Sequence, residues 1–355
     1  MECEGGEMNV NIKHQRFADV DLSDAFFDSL KQDYPEFDKW FYNHSDRDAY
    51  VLYNSNRAIQ GFLHLKNEFG IVDDVVPNII ASKILKVATF KVEAHGTKMG
   101  EQFIKIIMDH AINEMVDVCY MTIFPKHQSL VRLVESFGFE EYGTKGNSDS
   151  QEKVYLKDMK KITGNIKKDY PLISMRGSNK YLLSIYPKYH SVMFPDSILT
   201  TENKNIITDI SYTNSIHKIY VCTMGVEVLQ YGDIIVLYRT AEYGRSAEYS
   251  AVATSICIVE EVRRQDEFAT FEEFFEYANQ YSVFERDDLA YWYKKGGCKA
   301  IKMTYNAALK KRIVRHNLIE KVGMDRNAYW GFMEITNSQF EEIIQRGEVS
   351  SKIIK

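Results

Sequence analysis

The stretch Ile84-Leu85-Lys86-Val87-Ala88-Thr89-Phe90-Lys91-Val92, followed by Glu93-Ala94-His95-Gly96-Thr97-Lys98-Met99-Gly100 and then Glu101-Gln102-Phe103-Ile104-Lys105-Ile106-Ile107-Met108, decides the fold of the first half of this chain. The opening run is rich in β-branched and aromatic residues and reads as a strand. The closing run has the apolar spacing of a helix, with Phe103, Ile106, Ile107 and Ala111 on one face. A strand that breaks into a short polar, glycine-bearing loop and opens a helix makes an anion site. Free N–H groups of the loop and first helical turn converge there, and the helix dipole adds positive potential.

Some thirty residues on stands a second marker, Ser136-Phe137-Gly138-Phe139, after a buried strand at Val118–Phe124 and a helix at Ser129–Phe137. In this order the motifs resemble the core of the GNAT N-acyltransferases, over about Val10 to Leu156. The family's diphosphate loop reads Arg/Gln-x-x-Gly-x-Gly/Ala. His95 stands at its first position, Gly96 follows, Lys98 replaces the middle glycine, and Gly100 fills the last place. His127 sits where the family has an Asn, and Val134 where it has a Tyr acid. The resemblance implies an α/β GNAT fold, a mixed sheet flanked by helices, using acetyl-CoA as co-substrate. It implies that His95, Gly96, Thr97, Lys98, Met99, Gly100 and Glu101 hold the diphosphate. It also implies that Phe90, Lys91 and Val92 offer backbone groups to the pantetheine arm as a strand partner, joined by His127.

At 355 residues the chain exceeds one ordinary core, so two domains are expected. Its 45% hydrophobic and 26% charged residues are those of a globular protein, and no apolar run approaches the roughly eighteen residues of a membrane span. Met1–Gly6 is acidic and does not read as a secretory signal. The five cysteines are scattered, without C-x-x-C, so neither a disulfide framework nor a metal site is expected and the reading is cytoplasmic. The net charge of -6 falls entirely in residues 1–175, and residues 176–355 balance. Within that neutral half, Lys299–Lys321 carries seven basic residues and one acid, Glu320.

The polar, basic run 158–178 reads as a linker between domains at 8–157 and 179–355. Before it, short helices are expected at Ser23–Leu30 and Pro35–Tyr42, and a hairpin at Ala49–Tyr53 and Ala58–Leu65. After it, strands are expected at Tyr181–Tyr186, Lys218–Cys222, Asp233–Tyr238 and Tyr249–Val262. Helices follow at Phe271–Tyr281 and Ala307–Val322, then a strand at Gly331–Ile335 and a helix at Ser338–Gln345. The strand and turn at Leu182–Tyr189, the Gly232-Asp233 strand and the small-residue strand Ala251–Ile256 resemble a PUA-like barrel of the ASCH or EVE kind. That resemblance implies a small β-barrel with helical insertions that binds RNA or a modified nucleotide.

Acyl transfer from a thioester needs a neutral amine, a polarised carbonyl and a proton for the thiolate. Glu68 and His127 are the candidate proton carriers; water relay, a group from the second domain, or no catalysis at all are the competing readings. Lys310, Lys311, Arg312 and Arg315 are the candidate RNA contacts, against a plain solvated helix face. The function expected is acyl-CoA-dependent N-acetylation of an amine, with the second domain presenting an RNA-linked or nucleotide acceptor. Its rivals are an acyl-CoA-sensing RNA-binding regulator and a protein or small-amine acetyltransferase whose second domain is an interaction module. Neither the acceptor amine nor the oligomeric state is legible in the sequence.

Overall fold

The computed structural model describes residues 11–93, 97–146, 151–197 and 215–355. The chain divides into two compact units at Met159–Lys160.

The first unit runs β1 (Asn11–Arg16), α1 (Asp28–Asp33), α2 (Phe37–Asn43), β2 (Asp48–Tyr53), β3 (Ile59–Val72), β4 (Ile79–Val92), α3 (Thr97–Asn113), β5 (Val118–Ile123), α4 (Gln128–Ser136), β6 (Glu140–Lys145) and β7 (Glu152–Asp158). Its seven strands form one sheet in the order β1-β2-β3-β4-β5-β7-β6. Every neighbouring pair is antiparallel except β4 and β5, which run parallel across the α3 connection. The β2–β3 turn closes because Asn54 Oδ1 accepts from the N–H groups of Asn56 and Ala58, while Arg57 takes φ +64°. Alternation along β3 sends Phe62 into a buried aromatic cluster with Phe17, Phe26, Phe27, Phe37 and Phe41, under α1 and α2. Its neighbour Gly61 faces the other way, where an added Cβ would lie 2.5 Å from the Phe103 ring of α3. Helices therefore cover both faces of the sheet, as the GNAT resemblance implies. The β6–β7 pair that completes the edge was not anticipated from the sequence.

The second unit runs α5 (Ile166–Asp169), β8 (Lys180–Ile185), α6 (Pro187–Met193), β9 (His217–Cys222), β10 (Ile234–Arg239), α7 (Ala247–Ser250), β11 (Val252–Arg264), α8 (Phe271–Asn279), α9 (Arg286–Lys295), β12 (Lys299–Val314), α10 (Arg315–Glu320), β13 (Phe332–Ile335) and α11 (Asn337–Arg346). Its sheet is mixed, in the order β13-β8-β10-β11-β12-β9, with β8 and β10 parallel. Among the described residues no ladder joins β9 to β13. Gly232 takes φ +91° in the turn before β10, where a side chain would be strained.

Two expectations are corrected here. The run 158–178 is not a free linker: Ile166, Tyr170, Leu172 and Ile173 are buried in the second unit, and Ile173 bridges Ile354. The helix expected over Ala307–Val322 is mostly the long strand β12, followed by the short α10. Ala307, Ala308 and the following lysines favour a helix in isolation. Pairing with β11 overrides that propensity, through Ala307 with Ile256 and Ile313 with Ala253.

Candidate active site

The parallel pairing of β4 and β5 is short. It joins Ile84–Val87 to Val118–Met121 and stops. Just beyond, β4 carries an extra residue: Val87 opposes Leu65 and Thr89 opposes His64, so Ala88 is a bulge. β4 then stays paired to β3 as far as Val92 opposite Gly61. Its other edge, over residues 88–92, is paired to no strand among the described residues. Such an edge has backbone N–H and C=O groups in need of partners. α3 opens five residues after β4 ends.

Phe90, Lys91 and Val92 lie on this edge, half-buried. The Phe90 ring stands 5.7 Å from Phe103. The Lys91 ammonium donates to the Phe26 carbonyl and sits 2.7 Å from Glu93 Oε1, which ties its side chain to the unit's own structure. What these residues offer a ligand is their backbone. His95 and Gly96 lie outside the described residues, as do the side chains of Thr97 and Lys98. Met99 is half-buried in the first turn of α3, and Glu101, just after that turn, is buried. Gly100 is buried, and a Cβ there would lie 2.7 Å from Leu133 Cδ2. Gly100 therefore lets α3 approach α4, a packing role distinct from the loop role expected of it.

Glu68 stands at the wrong end of the pairing for the expected base. It opposes Ile84, four residues before the bulge, or about 13 Å along the strand. Its carboxylate accepts from Tyr120 Oη at 2.8 Å and from Lys66 Nζ at 2.8 Å. Burial opposes its ionisation, but these two donors hold it below the usual carboxylate range. Val134, in place of the family's Tyr acid, is fully buried core. His127 is exposed at the start of α4, and its Nε2 bonds Asp33 Oδ2 at 2.9 Å. Lys126 bonds the other oxygen of Asp33. Burial raises the Asp33 pKa, and the Lys126 and His127 contacts outweigh it and lower it.

The group at the mouth of the gap is one the sequence reading missed. Glu152 opens β7 one step before Lys153, the partner of Ile123. Its Oε1 accepts from Tyr34 Oη at 2.5 Å and from Thr122 Oγ1 at 3.0 Å, and Thr122 is the first residue of β5 beyond the β4 pairing. Glu152 is 7% exposed, yet both of these bonds fall on Oε1. No described residue donates to Oε2, which is left for an incoming donor. Tyr34 comes from the loop between α1 and α2, its ring tilted against that of Phe124 with centroids 5.4 Å apart. Burial first, then the Glu152 carboxylate, raises its hydroxyl pKa, so it stays protonated. A Glu at the start of an alternating run, Glu152-Lys153-Val154-Tyr155-Leu156, was the available signal. Its partner Tyr34 is 118 residues away.

No protein-family model matches the chain, and no protein of curated function matches it. Solved structures that it is similar to include a putative phosphinothricin N-acetyltransferase, at 17% identity and TM-score 0.33 over 42% of this chain and 98% of that one. Another is a GNAT family acetyltransferase from Elizabethkingia anophelis with acetyl-CoA bound, at 13% identity and TM-score 0.32, over 42% and 98%. A third is an ASCH protein from Zymomonas mobilis, at 7% identity and TM-score 0.33, over 50% and 99%. The structural neighbours of the chain thus include both GNAT acetyltransferases and ASCH proteins.

Proposed function

We propose that the first unit is an acyl-CoA-dependent N-acyltransferase and that the second unit presents a nucleotide-bearing acceptor. The observation that carries the first part is the open edge of β4 beyond the Ala88 bulge, with Glu152 Oε2 at its mouth. An extended arm with amide groups can pair with residues 88–92 as an added strand. A bulge N–H then faces the thioester carbonyl, where negative charge develops in the transition state. The acceptor amine loses a proton to Glu152, its nitrogen bonds the carbonyl carbon, and the carbon–sulfur bond breaks. The thiolate takes a proton from water. Tyr34 and Thr122 position Glu152 through their hydrogen bonds to Oε1.

The test is release of free thiol from acetyl-CoA by the full chain, offered peptides, small amines and aminoacyl-nucleotides in turn. Turnover with at least one amine, lost in Glu152→Gln while acetyl-CoA still binds, supports the reading. Absence of acetyl-CoA binding at millimolar concentration contradicts it. Buried Val134 at the place of the family's Tyr acid favours a second reading, a non-catalytic acyl-CoA sensor. Saturable acetyl-CoA binding without turnover on any amine would select it.

A further inference from the structure

In the second unit a cavity of about 160 Å³ is walled by Tyr186, Tyr189, Tyr220, Phe284, Trp292 and Tyr329. That is small beside the roughly 300–1,000 Å³ of sites for drug-sized ligands, and suits a single ring system. The walls come from the end of β8, α6, β9, the segment before α9, α9 itself and the segment before β13. Tyr220 and Phe284 are 3% and 4% exposed and form its floor, whereas Tyr186 and Tyr329 are 62% and 69% exposed at its mouth. The floor rings are fixed: Tyr189 lies 4.2 Å from Phe284, and Tyr220 5.8 Å from it. Tyr189 Oη is held by Asp288 Oδ2 at 3.2 Å, and Asp288 is in turn neutralised by Lys188 at 3.0 Å. At the mouth, a Cβ on Gly331 would lie 2.3 Å from the Tyr329 ring, so only glycine lets Tyr329 fold to that position.

Three features narrow the ligand. No lining residue is charged, so nothing in the cavity is set to neutralise a buried ion. The hydroxyls of Ser184, Thr223 and the buried Tyr220 line it without a hydrogen-bond partner among the described residues. A quaternary ammonium would enjoy the aromatic walls but leave the buried Tyr220 hydroxyl unpaired, which is costly. A heteroaromatic base satisfies both, with faces for the rings and an edge for the hydroxyls. Outside, Lys295 holds its ammonium 5.2 Å from the Trp292 ring and is in no ion pair among the described residues. It is a cation at the mouth, where a phosphate attached to the base would emerge.

We propose that this aromatic cavity takes one nucleobase, with its phosphate at Lys295. The inference rests on the reading of the second unit as a nucleotide binder, and does not depend on acyl transfer. The base can come from a free nucleotide or from an unstacked residue of a single strand.

The test uses the full chain, titrated at low salt with each of the four nucleoside monophosphates and with fluorescein-labelled oligo(A), oligo(C) and oligo(U). Tryptophan quenching and anisotropy are the readouts. Binding is expected to weaken roughly 5- to 150-fold in Trp292→Ala, the range of a lost stacked base. Tyr220→Phe keeps the ring and the fold, and is expected to weaken binding several-fold. Lys295→Ala is expected to reduce the salt slope by about one. Binding of monophosphates as tight as that of oligonucleotides assigns the free nucleotide; binding of oligonucleotides alone assigns the strand. If oligonucleotides bind and neither Trp292→Ala in a folded chain nor Tyr220→Phe weakens them, the cavity is overturned while the reading of the unit stands. If no nucleotide or oligonucleotide binds, both fall.

Discussion

The two sites of this chain are built in opposite ways. The open edge in the first unit is made of backbone, and its position follows from where one strand stops pairing. The cavity in the second unit is made of side chains drawn from six separate segments between Ser184 and Tyr329. A backbone site tolerates changes of sequence, since any residue but proline brings both an N–H and a C=O. A side-chain site depends on which ring stands where. The first should therefore be hard to remove by single substitutions along β4, and the second easy. The exception in the first unit is Glu152, the single side chain to which our proposal assigns chemistry.

Glu152→Gln is expected to break that contrast most. Loss of a positioned acid–base group removes about 10²–10⁴ in rate, so kcat should fall by that factor in any amine assay that turns over. Acetyl-CoA affinity by calorimetry should stay within about twofold, because the edge proposed to bind it is intact. A loss of affinity comparable to the loss of rate would mean that Glu152 holds the edge rather than the proton.

Gly100→Trp sharpens the comparison from the packing side. With only 2.7 Å between a Cβ and Leu133, a large side chain must push α3 from α4. Overpacking of this kind costs about 1–3 kcal/mol, visible as a lower melting temperature. Shortening Leu133 to Ala in the same chain should recover part of it. An unchanged melting temperature would return Gly100 to the loop role expected from sequence.

Acid should separate the units more gently. In the second unit, burial opposes ionisation of Glu260, but His217 at 2.5 Å, Lys302 at 3.3 Å and Thr304 at 2.8 Å bring it down to about 2. A carboxylate with a lowered folded pKa stabilises above its ordinary value near 4.5, and that contribution is lost as pH falls toward 2. Burial, with Arg239 and Arg312 nearby, pushes His190 down from 6.5 to about 3. The unfolded chain therefore protonates this histidine first, and its contribution fades between those values. Stability of the second unit, followed by denaturant titration, should fall from pH 6.5 downward. Glu260→Gln should flatten the part below pH 4.5. A level profile to pH 3 would contradict the assignment.

The smallest effect is expected at Lys310 and Lys311. Both are exposed on β12, where successive side chains point to opposite faces and form no single stripe. Arg315 is stacked on Trp330 at 4.4 Å. Lys310→Ala with Lys311→Ala should change oligonucleotide affinity less than Lys295→Ala does. A larger loss would restore the basic segment as the RNA contact.

What was legible in the sequence follows the same division. The strand, loop and helix from Ile84 onward announced themselves by local pattern, and so did the turn at Asn54–Arg57. Beyond reach were features fixed by distant contacts. β12 reads as a helix until β11 pairs with it, Glu152 matters only beside Tyr34, and the six rings of the cavity share no spacing. A bulged end to this strand was expected from the resemblance, but its place at Ala88 was not, since an extra residue in a ladder shows only against its partner strand.

Amide hydrogen exchange of the full chain, with and without acetyl-CoA, tests the central claim most directly. Amides of residues 88–92 that face away from β3 exchange readily if the edge is open. The expected result is their selective protection on adding acetyl-CoA, with the β3-facing amides unchanged. Binding of acetyl-CoA with no change in exchange over residues 88–92 would contradict the claim that this edge is where the acyl donor lies.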